Sequence, residues 1–127
     1  MKRSIFLICP VRGASPEVTE RVRAYVAGLE ADGHQVHWPP RDTAQDDPIG
    51  TRICRDNARA MLAAEEVHVW YDASSQGTIF DAGMLFMSVV MLDFWKRIVV
   101  ANPEDLTPTD GKKSFNNVLL ALAKEYA

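Results

Sequence analysis

Two short segments hold most of the residues able to act on a ligand: Cys9-Pro10-Val11-Arg12-Gly13-Ala14-Ser15 and Ser74-Ser75-Gln76-Gly77-Thr78-Ile79-Phe80-Asp81-Ala82-Gly83-Met84. Arg12 and Gly13 stand just before a predicted helix, where a guanidinium, free backbone amides and the helix dipole all favour an anion. Ser75 and Gly77 repeat the pattern at a second predicted helix start, adding a hydroxyl and further amides. Two helix N-termini meeting at one crevice would make a phosphate-sized site. Asp81 falls in the first or second turn of that second helix. Its carboxylate either complements the helix dipole, worth about 0.3–1 kcal/mol, or lies beneath a bound molecule. The same residues have structural duties as well: Ser15 and Ser75 are good helix caps, and Gly13 and Gly77 permit tight turns.

The elements that must position these segments alternate between strand and helix. Ser4 to Cys9 is a short apolar run ended by Pro10 and Gly13, which predicts a strand buried on both faces. Ser15-Pro16-Glu17 supplies a cap, a first-turn proline and an acid for a helix over about 16–31, with Val18, Val22, Tyr25, Val26 and Leu29 on one stripe. Gln35 to Trp38 predicts a second strand closed by Pro39-Pro40, and Arg41 to Asp47 a loop. Asp47-Pro48 repeats the cap-and-proline signature before a helix over about 48–64. Val67 to Tyr71 reads as a third strand, the segment after Ser75 as a helix to about 92, Arg97 to Ala101 as a fourth strand, and Ser114 as the cap of a last helix ending near Tyr126. This order predicts a single α/β domain over 1–127. The sheet is a small doubly wound parallel one of four to five strands, order 2-1-3-4(-5), with helices on both faces. Ligands of such sheets bind at the carboxyl ends of the strands flanking the topological switch, here the first and third. The loops that emerge there, Pro10 to Ser15 and Asp72 to Gly77, belong to the two segments above.

Other chemistries lack their residues. The only Gly-Lys pair, Gly111-Lys112, follows the fourth strand and lacks the first glycine of a P-loop, and no dinucleotide-type GxGxxG occurs. A thiolate phosphatase loop starting at Cys9 would need arginine where Ser15 stands. Cys9 and Cys54 stand alone, with no Cys/His pair at metal spacing, so neither a disulfide, a metal site nor a cofactor is expected. Fourteen Lys and Arg against seventeen Asp and Glu leave a net charge of −3. That excludes a general polyanion surface, and with it a nucleic-acid polymer as partner, while one arginine in a cleft can still hold one phosphate. With 47% apolar and 24% charged residues in 127, the chain can build a real core. Its longest apolar run, Ala82 to Leu92, is well under the roughly 20 residues of a spanning helix, and Ile5 to Cys9 is too short for a signal-peptide core. A cytoplasmic protein with no membrane partner is the expectation.

At these residues the chain resembles the nucleoside 2-deoxyribosyltransferase-like family, which includes the deoxynucleoside 5′-monophosphate N-glycosidases. The resemblance spans nearly the whole chain: the first strand then Arg12-Gly13, the helix leading to Glu65-Glu66-Val67-His68-Val69, and Ser75-x-Gly77 followed by Phe80-Asp81-x-Gly83-Met84. It implies a nucleoside or nucleotide ligand and cleavage of its N-glycosidic bond. A carboxylate beneath the anomeric carbon would act as nucleophile in an oxocarbenium-like transition state. By resemblance Asp81 takes that role, although the family's residue is Glu, one methylene longer. A second family acid falls on Asn57, with Asp56 adjacent, and would orient the nucleophile. Arg12, Gly13, Ser75 and Gly77 would hold phosphate, as in the monophosphate branch, whose first-loop serine is Pro10 here. A transferase or hydrolase is one implication; a non-catalytic module of the same fold that senses a nucleotide is the alternative.

Trp38 and Tyr71, at the ends of the second and third strands, could stack on a base or complete the core edge. His68, His34 and His37 read as structural. The helix over 76–92 is apolar nearly all round, more than one sheet face can cover, so a homodimer or higher homo-oligomer through that helix is expected.

Overall fold

The computed structural model describes residues 1–127 and contains a four-stranded, all-parallel sheet in the order 2-1-3-4 with helices on both faces, an α/β doubly wound fold. Strand β1 (Ser4–Ile8) lies in the middle, paired with β2 (Gln35–His37) on one side and β3 (Glu66–Val69) on the other; β4 (Arg97–Val100) completes the far edge. The connecting helices are α1 (Pro16–Ala31), the short α2 (Pro39–Asp42), α3 (Thr51–Ala63), α4 (Gln76–Val90) and α5 (Phe115–Glu125). No helix is long and apolar enough to cross a membrane.

The pleat divides the core in two. Phe6, Ile8, Val67, Val69 and Ile98 point to one face, where Met61, Leu85, Leu119 and Leu122 of α3, α4 and α5 cover them. Ile5, Leu7, Val36 and Trp70 point to the other, against Val22 and Val26 of α1. β1 therefore carries no polar residue from Ile5 to Ile8, because neither of its faces meets water.

Strand β3 begins one residue earlier and ends two residues earlier than the expected Val67 to Tyr71, and two helix starts depart further from the sequence expectation. Pro39-Pro40 does not simply end β2; it opens α2, whose start is braced by the Asp42 carboxylate accepting the Trp38 amide at 2.8 Å. Proline's fixed φ suits a first helical turn as well as it suits a stop. The following helix starts at Thr51 rather than Pro48. Asp47 folds its carboxylate onto the Ile49, Arg52 and Ile53 amides at 3.3, 2.8 and 3.3 Å, and Gly50 turns the chain at φ +96°. Asp47 thus serves α3 from outside its cap position, and the left-handed turn needs the glycine.

Candidate functional site

At the carboxyl ends of β1 and β3 lies a crevice of about 510 Å³. Four parts of the chain border it: Cys9, Val11 and Arg12 after β1; Pro39 and Gln45 from the α2 region; Gly50, Ile53, Cys54 and Asn57 from the start of α3; and Ser74 to Gly77 with Phe80 and Asp81 from the start of α4. A hollow of about 570 Å³ also lies beside β2, but its arginine is already paired: Arg41 bonds Glu30 at 3.0 Å and Asp42 at 2.9 Å. The crevice differs in that its Arg12 and Asp81 side chains form no ion pair or hydrogen bond within the protein.

Asp81 is the clearest case. It sits beyond the first turn of α4, 8% exposed, with no hydrogen-bond partner in the protein. Trp38 Nε1 is the one completely covered polar side-chain atom without a partner, so the Asp81 oxygens open onto the crevice. Burial raises its pKa to about 6, because the ionised form is separated from water and nothing donates to it. Such a group is ionised at neutral pH yet held at a high free energy.

Ser75 presents a complementary character. Its Oγ accepts the Thr78 amide at 3.2 Å and the Thr78 hydroxyl at 2.9 Å, which occupies both lone pairs. Only its own O–H remains, and that can only donate. The Gln76 and Gly77 amides at the first turn of α4 have no partner either, as expected at a helix start. Arg12 forms no ion pair and is exposed at the rim. The crevice is therefore bordered by donors from Arg12, Ser75 and the α4 amides, groups able to meet an anion.

The two helix N-termini at this crevice are those of α3 and α4, not α1 and α4. Gly13, at φ +72°, shapes the turn into α1 but does not line the cavity, and the Ser15 hydroxyl is taken by the Val18 amide at 3.1 Å. The N-terminus of α3 is already met by the Asp47 carboxylate, whose pKa the Gly50 amide, foremost, and those of Ile53, Arg52 and Ile49 hold low. At α4 the Gln76 and Gly77 amides remain without such a carboxylate.

Of the two candidates for a second acid site, Asn57 lines the crevice and Asp56 does not. Asp56 faces outward, bonded to Arg52 at 3.1 Å and Arg59 at 3.5 Å. Trp38 and Tyr71 are both buried and neither borders the crevice. Trp38 packs against α1 with the Arg23 and Arg41 guanidinium groups 5.2 and 5.8 Å from its ring, and Tyr71 joins the core beside α4 and α5. Tyr71 is held there by Asn102, whose side chain accepts its amide and donates to its carbonyl, both at 2.8 Å.

Gln45 and Cys54, neither singled out in sequence as a ligand contact, also line the crevice. Gln45 donates both amide protons, to Pro39 O at 2.9 Å and Thr43 O at 3.0 Å, leaving its oxygen as a free acceptor. Cys54 and Cys9 both face the cavity; burial pushes the Cys9 thiol up to about 12 and also raises Cys54, so both stay protonated. A polar loop and a helix of unknown phase carried no signal for Gln45 and Cys54. Two histidines are engaged within the protein: His68 lies 2.9 Å from Glu66 and 2.6 Å from Tyr25, and His34 accepts the Arg3 amide at 3.2 Å. Comparison with models of known protein families, with curated proteins and with solved structures gives no match for this chain.

Proposed function

We propose that the crevice binds a deoxynucleoside 5′-monophosphate and that the protein cleaves its N-glycosidic bond. The observation that carries this reading is an unpartnered, buried Asp81 in the same cavity as the donor-only Ser75, the free α4 amides and the unpaired Arg12. The donors suit a phosphate, and the buried carboxylate suits a sugar carbon that becomes cationic. The resemblance to the deoxyribosyltransferase-like family supports the same assignment.

In this reading the Asp81 carboxylate attacks the anomeric carbon as the bond to the base breaks. The base leaves with the bonding electron pair and takes a proton from solvent. Water then hydrolyses the sugar ester, releasing deoxyribose 5-phosphate and restoring Asp81. The role of Arg12, Ser75 and Gly77 is to hold the phosphate while Asn57 contacts the ligand from α3.

One observation favours the alternative, a module that senses a nucleotide without cleaving it. No group in the protein orients the Asp81 carboxylate, and aspartate reaches less far than the family's glutamate. A panel of monophosphates and matching nucleosides, followed by thermal shift and by release of free base, separates the two. Monophosphates should stabilise the protein far more than nucleosides, with the difference lost in Arg12→Ala. Equal shifts would remove the phosphate assignment; binding with no base release would leave the sensor.

A second copy of the chain is proposed to cover the outer face of α4, where Phe86, Met87, Val90 and Met91 are exposed.

A further inference from the structure

Asn57 is 7% exposed and borders the crevice, and its amide is tied at one end only. The Thr43 hydroxyl donates to Asn57 Oδ1 at 2.7 Å, and the same hydroxyl oxygen lies 2.8 Å from His37 Nε2. A hydroxyl has one proton. With Thr43 giving it to Asn57, its oxygen accepts from His37, an arrangement that requires the His37 tautomer carrying hydrogen on Nε2. The His37 ring is held in turn by stacking on Phe6, with centroids 5.3 Å apart and planes 15° apart. Asn57 Nδ2 has no partner and is not completely covered, so it opens onto the crevice.

We propose that His37 and Thr43, neither of which borders the crevice, are positioning residues that hold Asn57 with its amide nitrogen toward the ligand, so that the bound nucleotide must present a hydrogen-bond acceptor there. This rests on the reading of the crevice as a nucleotide site. Turning Asn57 over would set its amide nitrogen against the Thr43 hydroxyl and require His37 to carry its hydrogen on Nδ1 instead, so the relay couples the face that Asn57 shows the ligand to the tautomer of His37. Thr43 is itself 4% exposed and lies between α2 and α3, where a methyl group could replace its hydroxyl without changing its shape.

Two measurements test this. The first is a double-mutant cycle on affinity for the monophosphate that binds wild-type protein best. Thr43→Val should weaken binding roughly tenfold, the worth of one neutral hydrogen bond, and Thr43→Ser should restore it. In the Asn57→Ala background, Thr43→Val should add no further loss. Losses that simply multiply, or that follow the melting temperature alone, overturn the positioning role. The second is the nitrogen spectrum of His37 in the unliganded protein. Hydrogen on Nε2 is expected; hydrogen on Nδ1 alone overturns the donor face of Asn57 whatever the ligand does. Failure of every monophosphate to bind, with the Nε2 tautomer observed, overturns the nucleotide requirement and with it the reading of the crevice, while the relay geometry stands.

Discussion

Asp81 shows how burial and function pull against each other in one side chain. Its folded pKa of about 6 exceeds the ordinary 3.8, so folding takes up a proton between those values. Below pH 3.8 the carboxyl is neutral in both states and carries no penalty. As pH rises past 6 the penalty becomes complete, roughly 3 kcal/mol for a shift of this size before any discount for residual solvent. Asp81→Asn is therefore expected to raise the melting temperature at pH 8 and to leave it nearly unchanged at pH 3.5, as thermal unfolding at the two pH values will show. A residue serving only the helix dipole would give the opposite sign at pH 8. In the proposed reaction the same change abolishes base release while nucleotide affinity persists, and the wild-type rate climbs with pH through about 6 as the nucleophile ionises.

Helix α4 does two jobs through its first turn. Ser75 caps it by accepting from Thr78 and, by the same geometry, is left with a proton to donate. Ser75→Ala should lower stability by about 1 kcal/mol through the lost cap and weaken monophosphate binding as well, whereas Ser75→Asp should preserve the cap but repel an anion. Calorimetric titration and thermal unfolding of the pair would separate the roles: monophosphate affinity kept in Ser75→Asp would dismiss the phosphate contact. Helix α3 makes the contrast. Its start also faces the crevice, but Asp47 already meets the Arg52 and Ile53 amides, and α3 lends the site the side chains of Ile53, Cys54 and Asn57. Its far end is closed by Lys96, 7% exposed, whose ammonium donates to the Leu62 carbonyl.

Across the fold, apolar surface is unevenly spent. Two packed faces of the sheet bury every apolar residue of β1 and β3, yet α4 and the turn after it leave Phe86, Met87, Met91, Leu92, Phe94 and Trp95 between 42% and 66% exposed. A contiguous stretch of that kind is costly in water and is the usual mark of an interface. Light scattering at micromolar concentration is expected to give at least twice the 14.2 kDa chain mass, and Met87→Glu with Met91→Glu to return the monomer. A wild-type monomer mass would leave this face without its proposed partner. Phe80 belongs to both the crevice wall and the groove between α3 and α4, so loss of the second copy should also weaken nucleotide binding.

The alternation of strands and helices, and so the sheet order and the crevice between β1 and β3, was legible because it follows from local patterning. Ile5 to Ile8 can only be a strand covered on both sides, and a parallel neighbour requires a helical crossover. Arg12, Ser75, Gly77 and Asp81 were legible for the same reason, since they follow or open elements at the switch point. What could not be read was direction. One residue along a helix turns a side chain by about 100°, which separates Asn57 in the crevice from Asp56 outside it. Trp38 and Tyr71 stand at strand ends, but the pleat and the packing of α1, α4 and α5 carry them into the core. Gly13 belongs to a helix that turns away, while Gln45 and Cys54 arrive from a loop and a helix whose approach is set by contacts far along the chain. Spacing names the residues near a site; which of them face one another depends on helix phase and on packing between elements distant in sequence.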